Sequence, residues 1–234
     1  MSLFKFKKFS LDDSKSAMKL GTDAVILGSF VKSDNSKFIL DIGTGSGIIA
    51  LMLAQNSQAD IHAIDIDESS FLQAKDNFNN SNWASRLTAF NISLQKYSLE
   101  TNFKYDLIVC NPPFFINSLK SGDKRKNISK HNDLLSFDDL ICGTKKLLSP
   151  KGKFYIILPF NESRIFKNKA SENLLFCNES VFIKPKTNKS VNRVIMNFSF
   201  HKTTAVQKNL TIRNNNNTYT QEYIELTKKF YLNF

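Results

Sequence analysis

Residues 38–54 read FILDIGTGSGIIALMLA, an apolar strand that enters a glycine-rich turn and leaves it as an apolar helix. The turn glycines, Gly43, Gly45 and Gly47, can take backbone angles that a Cβ would forbid, and they let the backbone approach a ligand closely. A dinucleotide-binding turn would carry its third glycine one place later, where this chain has an isoleucine. The Gly-x-Gly-x-Gly spacing after Asp41 instead suits the amino-acid end of S-adenosylmethionine.

A second apolar strand, residues 61–64, ends in Asp65, about 20 residues beyond the glycines. A carboxylate at that strand end can accept hydrogen bonds from both hydroxyls of a ribose. The alternative is that Asp65 only caps the following helix. Because Asp67 and Ser69 can already serve as that cap, we expect Asp65 to be free to bind the ribose of a ligand.

The third signal is the sequence Asn111-Pro112-Pro113-Phe114, which follows the apolar strand 105–110. Ligands bind at this end of the strands in open α/β sheets. The side-chain oxygen of Asn111 and the carbonyl of Pro112 can accept both hydrogens of a flat amine, which favours the pyramidal form whose lone pair attacks an electrophile. Phe114 offers a face on which a base can stack. We take Asn111, Pro112 and Phe114 as candidate catalytic residues; the alternative is a proline-rich turn that merely ends a strand.

Strand and helix signals alternate along the rest of the chain, which predicts an α/β fold with a mostly parallel sheet and helices on both faces. Residues 174–184 and 193–201 are β-rich with no helix between them, which predicts an antiparallel pair. The head, residues 4–9, alternates apolar and basic side chains like an exposed edge strand. Residues 219–231 have the pattern of an amphipathic closing helix.

Length and composition limit the class of protein. With 234 residues, 41% hydrophobic and 23% charged, the chain is expected to form a single domain, with residues 1–36 as an N-terminal extension and 37–234 as the core. No apolar run approaches the roughly 18 residues of a membrane span, and the N-terminus lacks a signal-peptide pattern. Three scattered cysteines predict free thiols in a cytoplasmic protein, and three histidines without ligand spacing predict no metal site.

The net charge of +11 favours a nucleic acid as the partner. Basic residues crowd the segment that follows the Asn-Pro-Pro-Phe sequence, where the one acidic residue is Asp123. They are Lys120, Lys124, Arg125, Lys126 and Lys130. We expect these side chains to contact RNA phosphates; the alternative is a solvated charge run in a lysine-rich chain.

Three further segments narrow the interpretation: residues 17–23 (AMKLGTD), residues 40–55 (LDIGTGSGIIALMLAQ) and the tail 230–232 (FYL). Together with the Asn-Pro-Pro-Phe sequence, they resemble the bacterial tRNA1(Val) (adenine-37-N6)-methyltransferases, and the similarity covers nearly the whole chain. The resemblance implies a Rossmann-like class I methyltransferase fold with a seven-stranded, mostly parallel sheet whose last strand is reversed.

The same resemblance implies S-adenosylmethionine as the cofactor and assigns residues to it. The cofactor-binding candidates are Gly21, Thr22, Asp41, Gly43, Gly45, Asp65, Asn91 and Asn111. Asp65 stands where the family usually has a glutamate, and Phe114 where it often has a tyrosine. Asn91 stands where an aspartate often binds the adenine amine, and its amide oxygen can accept the same hydrogen bond.

The resemblance implies methylation of an adenine N6 in tRNA, with tRNA as partner and no obligate protein partner. Two enzymatic alternatives share the Asn-Pro-Pro sequence: methylation of another RNA or DNA amino group, and methylation of a release-factor glutamine amide. The latter enzymes usually carry an extra N-terminal domain, and too few residues precede Asp41 for one. A non-enzymatic alternative is an RNA-binding protein that retains a relict cofactor fold.

Overall fold

The computed structural model describes residues 3–112 and 135–234. The strands in these ranges are β1 (Leu3–Lys5), β2 (Ser10–Asp12), β3 (Phe38–Ile42), β4 (Asp60–Asp65), β5 (Leu87–Asn91), β6 (Tyr105–Cys110), β7 (Leu148–Pro159), β8 (Phe176–Lys186), β9 (Arg193–Ser199) and β10 (Val206–Arg213). The helices are α1 (Thr22–Phe30), α2 (Ile48–Asn56), α3 (Glu68–Asn79), α4 (Leu94–Glu100), α5 (Phe137–Leu147), α6 (Phe160–Glu172) and α7 (Gln221–Thr227). The predicted alternation of strand and helix through the middle of the chain is confirmed.

Within the described ranges, the main sheet has eight strands in the order β10-β8-β9-β7-β6-β3-β4-β5. Strand β9 runs antiparallel to β7 and β8, and the other neighbours pair in parallel. The predicted antiparallel pair is therefore confirmed as β8 and β9. The expected count of seven strands ending in a reversed one needs correction, because β10 follows the reversed strand and adds an eighth strand parallel to β8.

Helices cover both faces of the main sheet and bury two hydrophobic cores. One core contains α1, α2 and part of α7, and the other contains residues of α4, α5 and α6. Strand β6 contributes alternately to the two, with Leu107 and Val109 on one side and Ile108 and Cys110 on the other. Because the central strands are packed on both faces, they hold the loops at their ends in defined positions.

The head of the chain is a separate two-stranded hairpin, β1 with β2. The exposed strand predicted over residues 4–9 ends at Lys5, and residues 6–9 form the turn. The residues of β1 are exposed, but Phe6 and Phe9 in the turn are buried and stack with their centroids 4.6 Å apart. The Lys7 amide donates to the carbonyl of Phe230 (2.8 Å), and the Phe6 ring stacks on Tyr231. These contacts join the head to the tail.

The closing helix differs from the sequence expectation, because α7 is shorter than the helix predicted over 219–231. Near the other end of the chain, Gly21 is the N-cap of α1. Asp67 caps α3 as expected, because its carboxylate accepts from the Ser70 amide at 2.8 Å. No helix in the described parts of the chain has the length and apolar character needed to cross a bilayer.

Candidate active site

The carboxyl ends of β3, β4, β5 and β6 meet at one edge of the sheet. Ile42, the last residue of β3, pairs with Ile64 on one side and with Cys110 on the other. On the next strand pair, Asp65 is in register with Asn91. The parallel registers therefore bring the glycine turn, Asp65 and the start of the Asn-Pro-Pro sequence together, where ligands bind in open α/β sheets.

The glycine turn is folded against the end of β4. The amides of Gly43 and Thr44 donate to the Ile64 carbonyl at 2.9 and 3.1 Å. Gly43, Gly45 and Gly47 have φ angles of +68°, +57° and +85°, in the left-handed region that disfavours a Cβ. The backbone therefore favours glycine at all three positions, as the sequence predicted; the close approach to a ligand stays a prediction.

Asp65 organises the turn from the adjacent strand. Its Oδ2 accepts from the Gly45 amide (2.8 Å), and its Oδ1 accepts from the Asp67 amide (3.0 Å). Each carboxylate oxygen has a further lone pair, so two ribose hydroxyls can still be accommodated. Burial raises the pKa of Asp65, and the backbone amides that bond to it oppose that rise.

A cavity of about 230 Å³ lies beside Asp65. Its walls include Ile66, Ile92 and Leu94, and the polar residues along it include Ser93 and Gln95. Apolar walls of this kind, next to a carboxylate, suit a flat heterocycle joined to a ribose.

Asn91 is not among the residues that line this cavity. Its side-chain amide donates to the carbonyls of Asp65 and Ile66, at 3.0 and 3.1 Å, and so fastens the end of β5 to the loop after β4. The contact of Asn91 with the adenine amine stays a prediction. Neither Ser93 nor Gln95 was predicted from the sequence, although the N-cap signal of Ser93 marks the start of α4.

A second cavity, of about 300 Å³, shares the lining residues Met18, Gly43 and Gly45 with the first. Gly21, Thr22 and Asn111 also line it. The two cavities therefore form one elongated cleft that bends around the glycine turn. It runs from Asp65 to the sequence that follows β6.

Asn111 is half-buried, and its Oδ1 is buried without a hydrogen-bond partner among the described residues. Such an atom in a cleft needs an explanation, and a ligand that donates to it provides one. Pro112 follows and is buried. Phe114 and the basic residues Lys120, Lys124, Arg125, Lys126 and Lys130 lie outside the described residues.

Asp41 lies beneath the glycine turn and lines neither cavity. It is fully buried, and its Oδ2 accepts from the Thr44 hydroxyl at 2.7 Å. Burial raises the pKa of Asp41 to about 7, although the hydrogen bond from Thr44 opposes the rise. Its side chain supports the turn from below, and a direct contact with the cofactor stays a prediction.

Comparisons with known proteins identify the class. The family model described as the Methyltransferase small domain matches residues 14–164. The crystal structure of a protein from Agrobacterium tumefaciens, described as a predicted O-methyltransferase, superposes with a TM-score of 0.71 at 16% identity, over 89% of this chain and 96% of that one. An open parallel sheet with one reversed strand and a cleft at the carboxyl edge is the fold of a class I methyltransferase.

Full-length relatives define the family more closely. The chain is 42% identical over 234 residues to a tRNA1(Val) (adenine(37)-N6)-methyltransferase of Trichodesmium erythraeum, covering 99% of this chain and 98% of the relative. It is 40% identical over 230 residues to the protein of the same name from Bacteroides fragilis, covering 98% and 97%. The chain belongs to the family of tRNA1(Val) (adenine(37)-N6)-methyltransferases.

Proposed function

We propose that the protein transfers a methyl group from S-adenosylmethionine to N6 of an adenine in tRNA, adenine 37 next to the anticodon of a valine tRNA. The names of the full-length relatives support this substrate. The observation that carries the proposal is the buried, unpartnered Oδ1 of Asn111 in the cleft wall. An amine hydrogen is the partner that this acceptor lacks.

The residues of the cleft fit S-adenosylmethionine. The ribose would bind Asp65, whose two oxygens each keep an acceptor position, and the adenine would lie against Ile66 and Ile92. The amino-acid end would lie in the second cavity, near Gly21 and Thr22. A Cβ at Gly43 would meet no atom within 4 Å, so it would project into the space that a ligand needs. When bound, this cofactor supplies a methyl group on a positively charged sulfur.

Asn111 and Pro112 act on the amine that receives the methyl group. In adenine, the N6 lone pair is spread into the ring, so the amine is a poor nucleophile. The Asn111 Oδ1 and the Pro112 carbonyl accept its two hydrogens, hold it pyramidal and stabilise the positive charge that develops on nitrogen.

After alkylation the nitrogen becomes acidic and releases a proton to water, so no dedicated general base is required. In the transfer, the methyl–sulfur bond of the cofactor would break as the methyl–nitrogen bond forms, and the thioether would be the leaving group. The ring of Phe114 is the side chain on which the adenine would stack. An adenine in an anticodon loop can leave its stack at a lower cost in free energy than an adenine in a duplex.

The experiment that tests the function uses radiolabelled S-adenosylmethionine with tRNA, ribosomal RNA, DNA and protein from a cell that lacks the enzyme. We expect label in tRNA, recovered after digestion as N6-methyladenosine. Label in another nucleic acid or in a protein glutamine amide would identify one of the enzymatic alternatives. RNA binding without any transfer would identify the non-enzymatic one.

A further inference from the structure

We propose that three lysines at the turn between β8 and β9 form a docking surface for the RNA substrate, outside the cleft. This β8–β9 basic surface consists of Lys184, Lys186 and Lys189. The proposal rests on the proposed function, because it gives the tRNA a second and separate contact with the protein.

The position of the surface follows from the sheet topology. Strand β7 is parallel to β6, β9 is antiparallel to β7, and β8 is antiparallel to β9, so β8 runs in the same direction as β6. Lys184 and Lys186, at the carboxyl end of β8, therefore lie at the same edge as Asn111. Three strand spacings separate β6 from β8, about 14 Å. A tRNA whose loop enters the cleft reaches this surface with its stem.

The turn is connected to the wall of the cleft by specific contacts. Arg193, the first residue of β9, donates from Nε to Oδ2 of Asp23 (2.8 Å), and Asp23 lines the second cavity. The Phe160 amide, at the start of α6, donates to the Asn192 carbonyl (3.2 Å). Because these bonds fix the turn relative to the cleft, a phosphate bound at the turn would help to set the position of the adenine.

The lysines of the surface are available for phosphates. None of the three forms an ion pair within the described residues, whereas Lys208, at the other end of the β8–β10 pair, is paired with Glu179 at 2.6 Å. Lys189 is exposed, and Lys184 and Lys186 are half-buried. Residues 184–193 hold four basic residues and no acidic one.

The charges around the surface determine which half of the edge attracts RNA. Two acidic residues follow neighbouring strands at this edge, Glu162 in the first turn of α6 and Glu222 in the first turn of α7. Glu222 accepts from the Thr211 amide, and within the described residues neither glutamate forms an ion pair with one of the three lysines. The opposite half of the edge, after β4, is acidic, with Asp65, Asp67 and Glu68. A polyanion is therefore favoured over β7 to β10 and disfavoured over β4. Asymmetry of this kind orients the tRNA on the enzyme.

The test compares two triple variants with the same loss of charge. One is Lys184→Gln, Lys186→Gln, Lys189→Gln. The control is Lys146→Gln, Lys151→Gln, Lys153→Gln. These three exposed lysines lie near the end of α5 and the start of β7, at the opposite edge of the sheet. Binding of tRNA is measured by fluorescence anisotropy over a series of salt concentrations, and methyl transfer is followed with the same tRNA.

For the β8–β9 variant, the slope of log affinity against log salt should flatten by about 2–3, near 0.7–0.9 for each phosphate that the protein no longer neutralises. Affinity should fall by about 10- to 100-fold at moderate salt. The KM for tRNA should rise while kcat stays near that of the unmodified protein, because these interactions are the same in the ground state and the transition state. Cofactor affinity and the melting temperature should not change, and a short RNA of the loop nucleotides alone should bind as before.

Equal salt slopes and equal tRNA affinities in the two triple variants would overturn the docking surface while leaving the proposed function intact. If the triple variant lost as much affinity for the short RNA as for the whole tRNA, the lysines would act within the cleft. That result would also overturn a docking surface outside the cleft. Failure of the unmodified protein to methylate any tRNA would overturn both proposals.

Discussion

Replacing Asp65 with alanine tests the cofactor site at its centre. The carboxylate receives the Gly45 amide on one oxygen and the Asp67 amide on the other, and each oxygen keeps one free acceptor position. Asp65→Ala therefore leaves two loop amides without their partner and would remove the proposed ribose contacts. Asp65→Asn is not conservative here, because its NH2 group would face one of the two amide N–H donors.

The loss of hydrogen bonds to a charged group corresponds to about 1.5–3 kcal/mol, or about 10- to 150-fold in affinity. Isothermal titration calorimetry with S-adenosylmethionine measures it directly. Asp60→Ala is the matched control, since Asp60 is an exposed carboxylate at the other end of β4. Unchanged affinity in a folded Asp65→Ala protein would remove Asp65 from the site. Tight binding of a nicotinamide dinucleotide by the unmodified protein would refute the methyltransferase interpretation itself.

Three further predictions concern the residues around the glycine turn. Burial raises the pKa of Asp41 from 3.8 to about 7, so the folded state holds this proton more tightly than the unfolded state. Its contribution to stability is therefore greatest below about pH 4 and falls by about 4 kcal/mol as the pH rises to about 7, of which about 2–3 kcal/mol is lost above pH 5. Urea unfolding at pH 5 and pH 8 should show this loss of about 2–3 kcal/mol in the unmodified protein and not in Asp41→Asn, and an identical pH dependence of the two proteins would contradict it. A Cβ at Gly47 would lie 2.5 Å from Cε1 of Phe78 at a φ of +85°, so Gly47→Ala should destabilise by about 2–4 kcal/mol. Gly43→Ala, with φ +68° and no atom within 4 Å of the added Cβ, should lose about 1–2 kcal/mol of stability in the same urea unfolding assay, and it should bind cofactor less tightly.

The central fold was predictable because its strands are buried on both faces. Such strands appear in the sequence as continuous apolar runs, as in β3 and β6, and helical runs follow them. Strand β10 was missed because it is an edge strand: its sequence, VQKNLTIR, is largely polar, and half of its residues are exposed. Helix α4 was missed because it has seven residues, of which two are buried.

The convergence of the site was predictable because parallel strands end at one edge. Asp65 is the last residue of β4, and Asn111 directly follows β6, so the parallel topology brings both to the same edge of the sheet. The sequence did not show that Asp41 is buried away from the cleft, because the residues next to it in β3 are buried and apolar and so give no sign of which face is open. Gln95, which lines the cleft, lies in a segment without a motif. Met18 also lines the cleft, but the segment 17–23 pointed to Gly21 and Thr22 rather than to Met18. Their contribution depends on how those segments pack.

The measurement that tests the central claim most directly is the single-turnover rate of tRNA methylation by Asn111→Ala with saturating cofactor and tRNA. Loss of a preorganised acceptor should reduce this rate by at least ~100-fold. Cofactor affinity, measured by calorimetry, should stay within about twofold, because the proposed cofactor contacts are those of Asp65 and the glycine turn. A methylation rate near that of the unmodified protein would contradict amine activation by Asn111, and with it the role assigned to the unpartnered Oδ1 in the cleft.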